Sequence, residues 1–355
     1  MRIVVIGAGK VALELVRQTA TNPAYQYVGI SDSSVTVTKY SGFTPDEMMG
    51  IVAYKARGGK LRNYEDGRSW VTERPDDILD QRINVVVDAS THQTYGLLMR
   101  ALDNDINIVG SNKLPYADVS PADFKRLYSK AKKKRKTIDN RTVVSANLGT
   151  LRRIEEFAHT AGGVSYIKGC LSGTWGYISW KINQGVPFSQ AVYEAKEAGY
   201  TETDARIDLR GTDSARKAVI MARTNGVPLG LANIQVEKIL SPEIENAGAE
   251  DALKLLPTLD ETIKGRVAVA IEKNCTLRYV GELDFDKWVF EIGFKEIPLD
   301  DPQAFTRGTD NKVTMFPRYW NGKALSIEGP GAGIEVTAQG LMAGLYDLSL
   351  NHLMV

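Results

Sequence analysis

Acidic side chains and a lysine surround two glycines at residues 195–217, the stretch of this sequence most suggestive of chemistry. Asp213 and Lys217 stand four residues apart at the start of a predicted helix, so their side chains share one face. A carboxylate in that position holds the lysine ammonium in place, where it can take part in proton transfer. Glu202 could bind the ammonium group of an amino-acid substrate. A solvated loop of ion pairs would use the same residue types, so the segment alone leaves both interpretations open.

A glycine-rich loop follows the first predicted strand directly and opens the first predicted helix. Gly7 permits the tight turn, Gly9 lets the backbone approach a pyrophosphate, and Ala12 allows close packing of the helix on the strand. Amide groups at the helix N-terminus supply donors to the anion. Because the loop stands at the start of a strand–helix–strand unit, it predicts a dinucleotide site. The predicted contacts come from Gly7, Ala8, Gly9, Lys10 and Val11.

The end of the second predicted strand bears on which dinucleotide is bound. Asp32 stands there, where a carboxylate can accept hydrogen bonds from the ribose hydroxyls of NAD and would repel the 2′-phosphate of NADP. Ser33, Ser34, Lys39 and Lys55 could instead bind that phosphate. The sequence therefore predicts NADP or NAD as the cofactor, with Asp32 and Ser33 among its contacts, and does not decide between the two.

Polar residues also follow the next two predicted strands, Asn84–Asp88 and Asn107–Gly110. Ligands of open α/β sheets bind at this carboxyl edge. Ser90 and Thr91 could contact the cofactor there, although an ordinary helix cap would explain them equally well. Lys113 would place a cation near the nicotinamide and a carboxylate substrate, where it would help binding and proton delivery. The alternative for Lys113 is a surface lysine.

The hydrophobic pattern divides the chain into two parts that could position these residues. In the first part, short β-branched strands alternate with helices, which predicts a parallel sheet. The predicted strands are Arg2–Ile6, Tyr25–Ser31, Asn84–Asp88 and Asn107–Gly110. After about residue 140, helices mix with strands, and Leu277–Leu283 with Trp288–Glu296 forms a predicted antiparallel hairpin. We therefore expect an α/β protein in which an α+β domain follows the nucleotide-binding one.

The composition favours a small-molecule ligand over nucleic acid or a membrane. A net charge of +1 gives no long-range field for either polyanion. The basic run Lys130–Lys136 lacks aromatic partners and is interpreted as the solvated end of a helix. No apolar run approaches the length of a membrane span. The chain has only two cysteines, Cys170 and Cys275, so no disulfide framework is expected and a cytoplasmic location is predicted.

Around the acidic segment the sequence resembles the signature of the homoserine dehydrogenases. That signature combines a glycine–aromatic pair, a glutamate, two aspartates and a Gly-x-Asp step with a lysine four residues further on. The residues in register are Ala195, Gly199, Tyr200, Glu202, Asp204, Asp208, Gly211, Asp213 and Lys217. Ala205 replaces the usual proline, which alters the rigidity of the turn more than its chemistry.

Further blocks extend the resemblance over nearly the whole chain. Residues 169–178 look like the family's substrate strand, although Ser172, Trp175 and Gly176 depart from it. The other matching blocks are residues 112–113, 299–302 with 308–311, and 329–333 with 337–338 and 347.

This resemblance implies an NAD(P)-dependent enzyme that interconverts L-aspartate 4-semialdehyde and L-homoserine in threonine, methionine and isoleucine biosynthesis. Lys217 or Lys113 would donate the proton, with Asp213 as the catalytic partner of Lys217. The predicted substrate-binding residues are Glu202, Asp208, Gly173 and Thr174.

The resemblance also implies a domain plan. A Rossmann-type nucleotide-binding domain, residues 1–140 with 318–355, would accompany an α+β catalytic and dimerisation domain, residues 141–317. The C-terminal segment would return to the first domain, where Gly333 would contact the cofactor. A homodimer or higher homo-oligomer is expected. No regulatory extension follows Val355, so the short, monofunctional type is expected.

One departure concerns a metal. The family often binds a monovalent cation through a glutamate and backbone carbonyls just after the nucleotide-binding domain. Arg141 stands where that glutamate belongs, and a guanidinium brings its own positive charge and cannot coordinate a cation. No metal site is expected.

Other functions stay open. Another two-domain dehydrogenase, such as an aspartate-semialdehyde dehydrogenase, would need an activated cysteine, and we interpret Cys170 and Cys275 as small core residues. A non-catalytic NADP-binding relative would have no need for both lysines and all three carboxylates. Nucleic-acid binding through Lys130–Lys136 is disfavoured by the near-neutral charge.

Overall fold

The fold is described by a computed structural model that covers residues 1–64, 70–72, 78–79 and 82–353. The chain divides into two compact units, residues 1–147 with 333–355 and residues 148–332. The predicted boundaries at residues 140 and 318 lie earlier in the chain than these. The second boundary differs because Leu325–Pro330 forms a strand that pairs with Asp310–Pro317, which keeps it in the second unit.

The first unit is built on a seven-stranded sheet. Its strands are β1 (Arg2–Ile6), β2 (Gln26–Ser31), β3 (Thr36–Thr38), β4 (Trp70–Thr72), β5 (Val85–Asp88), β6 (Asn107–Gly110) and β7 (Ile138–Asp139). Their order across the sheet is β4-β3-β2-β1-β5-β6-β7. The strands from β2 to β7 in that order are parallel, whereas β3 and β4 extend the β2 edge in antiparallel pairing. The predicted parallel sheet is confirmed, and the short strands β3 and β4 were not predicted because three residues show too little periodicity.

Among the described residues, five α-helices accompany this sheet before the chain enters the second unit. They are α1 (Lys10–Thr19), α2 (Pro45–Ala56), α3 (Tyr95–Asp103), α4 (Leu114–Ala117) and α5 (Pro121–Lys134). Helix α1 buries Ala12, Leu15 and Val16, which places its N-terminal turn at the end of β1. Helix α5 has lysines in its last turn and is followed by its C-cap, Arg135, which has a left-handed backbone (φ 55°). The predicted helix end at the basic run is thus confirmed.

The second unit contains a six-stranded sheet. Its strands are β8 (Val164–Cys170), β9 (Gln235–Val236), β10 (Cys275–Asp284), β11 (Val289–Pro298), β12 (Asp310–Pro317) and β13 (Leu325–Pro330). The order is β13-β12-β8-β10-β11-β9, and all neighbours are antiparallel except β11 and β9. The predicted hairpin is confirmed as β10 and β11, each longer than predicted.

Eight helices belong to the second unit. They are α6 (Thr150–Thr160), α7 (Gly173–Ile182), α8 (Phe188–Glu197), α9 (Arg206–Leu209), α10 (Thr212–Thr224), α11 (Pro242–Asn246), α12 (Ala249–Leu255) and α13 (Asp260–Glu272). Residues 169–178, which resemble the family's substrate strand, do not form a single strand. The strand stops at Cys170, and Ser172 starts α7 because its hydroxyl accepts a hydrogen bond from the amide of Trp175 (3.3 Å).

The C-terminal helix α14 (Ile334–Leu353) lies in the first unit. Ala338, Leu341, Leu345 and Leu348 enter the same apolar core as residues of α1, α2 and β1. Within the described part of the chain, no helix is both long enough and apolar enough to span a bilayer.

Candidate functional site

The loop between β1 and α1 has the backbone that the glycine pattern predicts. Gly7 has a φ of +91°, and a Cβ on it would lie 2.6 Å from the Cα of Ser90. The amides of Gly7 and Ala8 both donate to the Ser31 carbonyl, at 3.0 and 2.7 Å. Only glycine is compatible with this turn and this close approach.

Gly9 has a different role in the same loop. Its backbone is extended (φ −85°, ψ 179°), and no atom lies within 4 Å of the position that a Cβ would take. It is the N-cap of α1 and has no side chain to bond the first amides of the helix, while Lys10 is exposed. Open space beside uncapped amides suits a pyrophosphate, so these residues fit a dinucleotide.

The carboxylate of Asp32 accepts several hydrogen bonds from within the protein. Its carboxylate accepts hydrogen bonds from Lys55 Nζ (2.6 Å), Leu61 N (2.8 Å), and the amide and hydroxyl of Ser34 (2.8 and 2.5 Å). Burial raises the pKa of Asp32, but the bonds from Leu61, Lys55 and Ser34 outweigh it and hold the pKa well below its ordinary value. The predicted ribose contact of Asp32 would have to compete with these donors. Ser33, beside it, is exposed.

A buried polar network ties the ends of β5 and β6 together. The hydroxyls of Ser90 and Thr94 donate to the Asp88 carboxylate at 2.7 and 2.5 Å. The amide nitrogen of Asn112 lies within 3.1 Å of oxygens of Asp88, Ser90 and Thr94. Burial raises the pKa of Asp88, against the effect of these hydrogen bonds. Sequence reasoning missed Asp88 and Thr94, for which an acid closing a buried strand was the available signal.

The remaining predicted cofactor residues of the first unit lie in different surroundings. Ser90 is committed to Asp88, Thr91 is exposed, and the N-cap of α3 is Thr94, so the helix-cap interpretation of Ser90 and Thr91 is wrong. Lys113 is half-buried directly after Asn112, and its carbonyl accepts from the amides of α4. Gly333 precedes α14 with a φ of +131°.

In the second unit the predicted acids assemble at the start of α7. Asp208 accepts hydrogen bonds from the Glu202 amide (2.8 Å) and the Thr174 hydroxyl (3.2 Å). Burial raises the pKa of Asp208, these two hydrogen bonds lower it, and the charges of Glu202 and Asp213 raise it further. The carboxylate of Glu202 belongs to an exposed residue. Thr174, Glu202, Asp208, Asp213 and Lys217 are called the acid–lysine cluster below.

Lys217 is the buried cation of this cluster. It is 6 % exposed, and its ammonium donates to the Leu171 carbonyl (2.5 Å) and pairs with Asp213 (2.9 Å). The four-residue spacing therefore places the two side chains together, as predicted. The Leu171 carbonyl was not anticipated, because it becomes available only where β8 ends.

Arg141 has acidic partners in the first unit. Its guanidinium pairs with Asp139 and with Asp347, the latter at 2.5 Å. Burial lowers the pKa of Arg141, but the two carboxylates outweigh it and raise the pKa above its ordinary value. Among the described residues, no group of three or more His, Cys, Asp and Glu side chains is arranged to hold a metal ion.

Cys170 does not have the features of a nucleophile, while Cys275, predicted to be a core residue, is only half-buried. Cys170 is buried, and burial raises the pKa of its thiol to about 11, despite the nearby Arg278 and Lys217. A thiol with that pKa is protonated at neutral pH, whereas covalent catalysis needs the thiolate. The geometry therefore disfavours a semialdehyde dehydrogenase that uses Cys170 as its nucleophile.

A parallel-sheet unit with a glycine turn, joined to an α+β unit that buries an acid-held lysine, defines a two-domain nucleotide-binding dehydrogenase fold. The family model for homoserine dehydrogenase matches residues 150–346, more than half of the chain. The chain belongs to the homoserine dehydrogenase family, as its signature residues predicted.

Individual relatives agree with this membership. The chain is 31% identical over 276 residues to a bifunctional aspartokinase/homoserine dehydrogenase of Haemophilus influenzae, covering 76% of this chain and 33% of that protein. It thus spans about a third of the length of that bifunctional relative. A homoserine dehydrogenase of Paracoccidioides brasiliensis is 28% identical, with 93% and 88% covered. The crystal structure of a hyperthermophilic archaeal homoserine dehydrogenase in complex with NADPH has the same fold, with a TM-score of 0.73, 22% identity, and 99% and 98% covered. The predicted Rossmann-type fold class is confirmed.

Proposed function

We propose that this chain interconverts L-aspartate 4-semialdehyde and L-homoserine with NADP(H). The observation that carries the proposal is the acid–lysine cluster, in which a buried ammonium is fixed by a carboxylate and a carbonyl. The cluster lies within residues 150–346, the part of the chain that matches the family model. A solvated loop of ion pairs would not bury Lys217 to 6 % exposure.

In this proposal the lysine moves the proton. The hydride would be supplied or accepted by a nicotinamide cofactor when one is bound. Lys217 delivers a proton to the developing alkoxide, because two acceptors fix its ammonium and leave one N–H to be donated. Asp213 orients the ammonium. Lys113 is the second candidate for the proton donor, and only mutation of each lysine distinguishes them.

The acids and the start of α7 are proposed to bind the amino-acid part of the substrate. Glu202 has an exposed carboxylate that can accept from the substrate ammonium, and Asp208 lies behind it, bonded to the Glu202 amide. The backbone of Gly173 and Thr174 forms the first turn of α7, where the helix dipole favours a carboxylate. These contacts orient the substrate, which is most of what the protein adds to a hydride transfer.

The cofactor is proposed to bind at the loop before α1. Gly7, Ala8, Gly9, Lys10 and Val11 supply the turn, the open space and the helix N-terminus for the pyrophosphate. The further proposed contacts are Ser33, Thr91, Lys113 and Gly333. Asp32 supports NADP over NAD, because Lys55 neutralises its charge and the hydrogen bonds described above occupy its oxygens.

Lys55→Met tests the role of Asp32. Without the ammonium, the Asp32 carboxylate regains an uncompensated charge that repels a 2′-phosphate and an oxygen that can accept from a ribose hydroxyl. We expect the affinity ratio of NADPH to NADH to fall roughly tenfold, about 1.4 kcal/mol, the order of one partly screened charge. Nicotinamide fluorescence titration measures both affinities. The control is Lys130→Met, which removes a lysine on α5 that pairs with Asp103. An equal change in the affinity ratio of both variants would contradict the assignment.

Activity of the purified chain tests the proposed function. Homoserine oxidation, followed at the nicotinamide absorbance, should proceed with NADP and more slowly with NAD.

Because Arg141 supplies a positive charge where a monovalent cation would bind, we propose that no such cation is held there, and the rate should not rise with potassium chloride. Saturable activation by potassium would refute the proposal that no cation binds beside Arg141 and would leave the proposed reaction unaffected. A protein that binds NADPH without turnover would instead support the non-catalytic alternative.

The family membership extends the proposal to assembly and location. We propose a homodimer or higher homo-oligomer in the cytoplasm, for which light scattering and fractionation are the respective tests.

A further inference from the structure

Trp175 is a buried side chain that touches the acid–lysine cluster without belonging to it. It follows Thr174 in α7 and is fully buried. Its indole Nε1–H donates a hydrogen bond to the backbone carbonyl of Asp208 at 3.0 Å. The hydrogen bond therefore links α7 to the backbone that carries the Asp208 carboxylate.

The indole is held rigidly by other aromatic rings. It stacks on Tyr279 with ring centroids 4.0 Å apart and planes 7° from parallel. Phe294 meets it edge-on at 5.4 Å, and Phe188 lies on it at 6.2 Å. Offset and edge-on contacts of this kind fix ring orientation, so the N–H points in one direction. We call Trp175, Phe188, Tyr279 and Phe294 the aromatic platform.

The platform also limits the next turn of the chain. Gly211 has a φ of +68°, and a Cβ on it would lie 2.3 Å from the Tyr279 hydroxyl. Helix α10, which carries Asp213 and Lys217, starts at the following residue. The segment 208–211 is thus fixed at one end by a hydrogen bond from Trp175 and at the other by contact with Tyr279.

We propose that Trp175 is a positioning residue for substrate binding. The hydrogen bond from Trp175 fixes the position of the Asp208 backbone. From this position the Asp208 carboxylate accepts hydrogen bonds from the Glu202 amide and the Thr174 hydroxyl. Loss of the N–H lets this segment move, which separates the acids that bind the substrate ammonium. The inference rests on the proposed function, because it assigns those acids to the substrate.

Two replacements of Trp175 separate the hydrogen bond from packing. Trp175→Phe removes the N–H and some ring area, and benzothienylalanine at the same position replaces the N–H by sulfur at nearly constant shape. For both we expect KM for homoserine to rise about fivefold to tenfold, the effect of one lost hydrogen bond, with kcat within about twofold. NADPH affinity should not change. The benzothienylalanine protein keeps the test valid if Trp175→Phe folds poorly.

Phe188→Leu is the matched control, because it loosens the same platform and leaves the Trp175 hydrogen bond intact. It should lower the melting temperature as Trp175→Phe does and change KM by less than about twofold, because the nearer rings of Tyr279 and Phe294 still hold the indole. An equal rise in KM for Phe188→Leu, or an unchanged KM for the benzothienylalanine protein, would overturn the inference. If the unmodified chain does not oxidise homoserine, the proposed function itself fails. That outcome differs from a failure of the inference about Trp175, in which the unmodified chain is active and the variants show the same KM.

Discussion

Replacement of Lys217 with alanine is expected to lower kcat by about two to four orders of magnitude, the usual effect of removing a general acid. The variant deletes the ammonium that Asp213 and the Leu171 carbonyl hold in place. Its stability should fall by about 1–3 kcal/mol, since the Leu171 carbonyl loses its donor in a buried setting. Steady-state kinetics and thermal unfolding measure the two effects separately.

Lys312→Ala is a closely matched control. Lys312 is also buried in the second unit, 7 % exposed, and also pairs with one acid and one carbonyl: Glu328 at 2.9 Å and Pro302 at 2.7 Å. It should lose similar stability while keeping kcat within about threefold, because it contributes no group to the reaction. Near-normal turnover in Lys217→Ala would remove Lys217 from the role of proton donor, and Lys113→Ala would then be the variant to examine.

Gly9→Val is expected to abolish most cofactor binding without unfolding the protein. The extended backbone of Gly9 suits any residue, and nothing lies within 4 Å of the added Cβ, so the melting temperature should change little. The valine would fill the space that the pyrophosphate needs beside the amides of α1. Loss of about two charge-assisted hydrogen bonds predicts a fall in NADPH affinity of roughly a hundredfold or more. Fluorescence titration and thermal unfolding provide the two readouts.

Gly7→Ala should behave differently, although it is only two residues away. Its Cβ would lie 2.6 Å from the Ser90 backbone at a φ of +91°, so stability and cofactor binding should fall together. Retention of NADPH affinity by Gly9→Val would show that the dinucleotide does not approach this turn. A large fall in the melting temperature of Gly9→Val would show instead that Gly9 is structural.

The parts of the fold that depend on local pattern could be predicted from sequence. The alternation of strands and helices predicted the parallel sheet, and two apolar runs around Asp284 predicted the hairpin. The pairing of Asp213 with Lys217 followed from helical spacing alone. Each of these depends on residues within a few positions of one another.

Contacts between distant residues could not be predicted in the same way. Asp32 is saturated by Lys55 and by the Leu61 amide, 23 and 29 residues along the chain, so its availability to a ribose depends on a loop with no periodic pattern. The same limit applies to the hydrogen bond from Trp175 to Asp208, separated by 33 residues. The change from β8 to α7 within residues 169–178 was not predicted, because the resemblance to the family's substrate strand treats this segment as one block.

Transfer of a labelled hydride tests the central claim most directly. The chain would be incubated with L-aspartate 4-semialdehyde and NADPH deuterated at the transferring position, and the homoserine formed would be examined by mass spectrometry. We expect one deuterium on the hydroxyl-bearing carbon, formed rapidly by the unmodified protein and at least about a hundredfold more slowly by Lys217→Ala. Absence of labelled homoserine from the unmodified protein, or equal rates in the two proteins, would contradict the account.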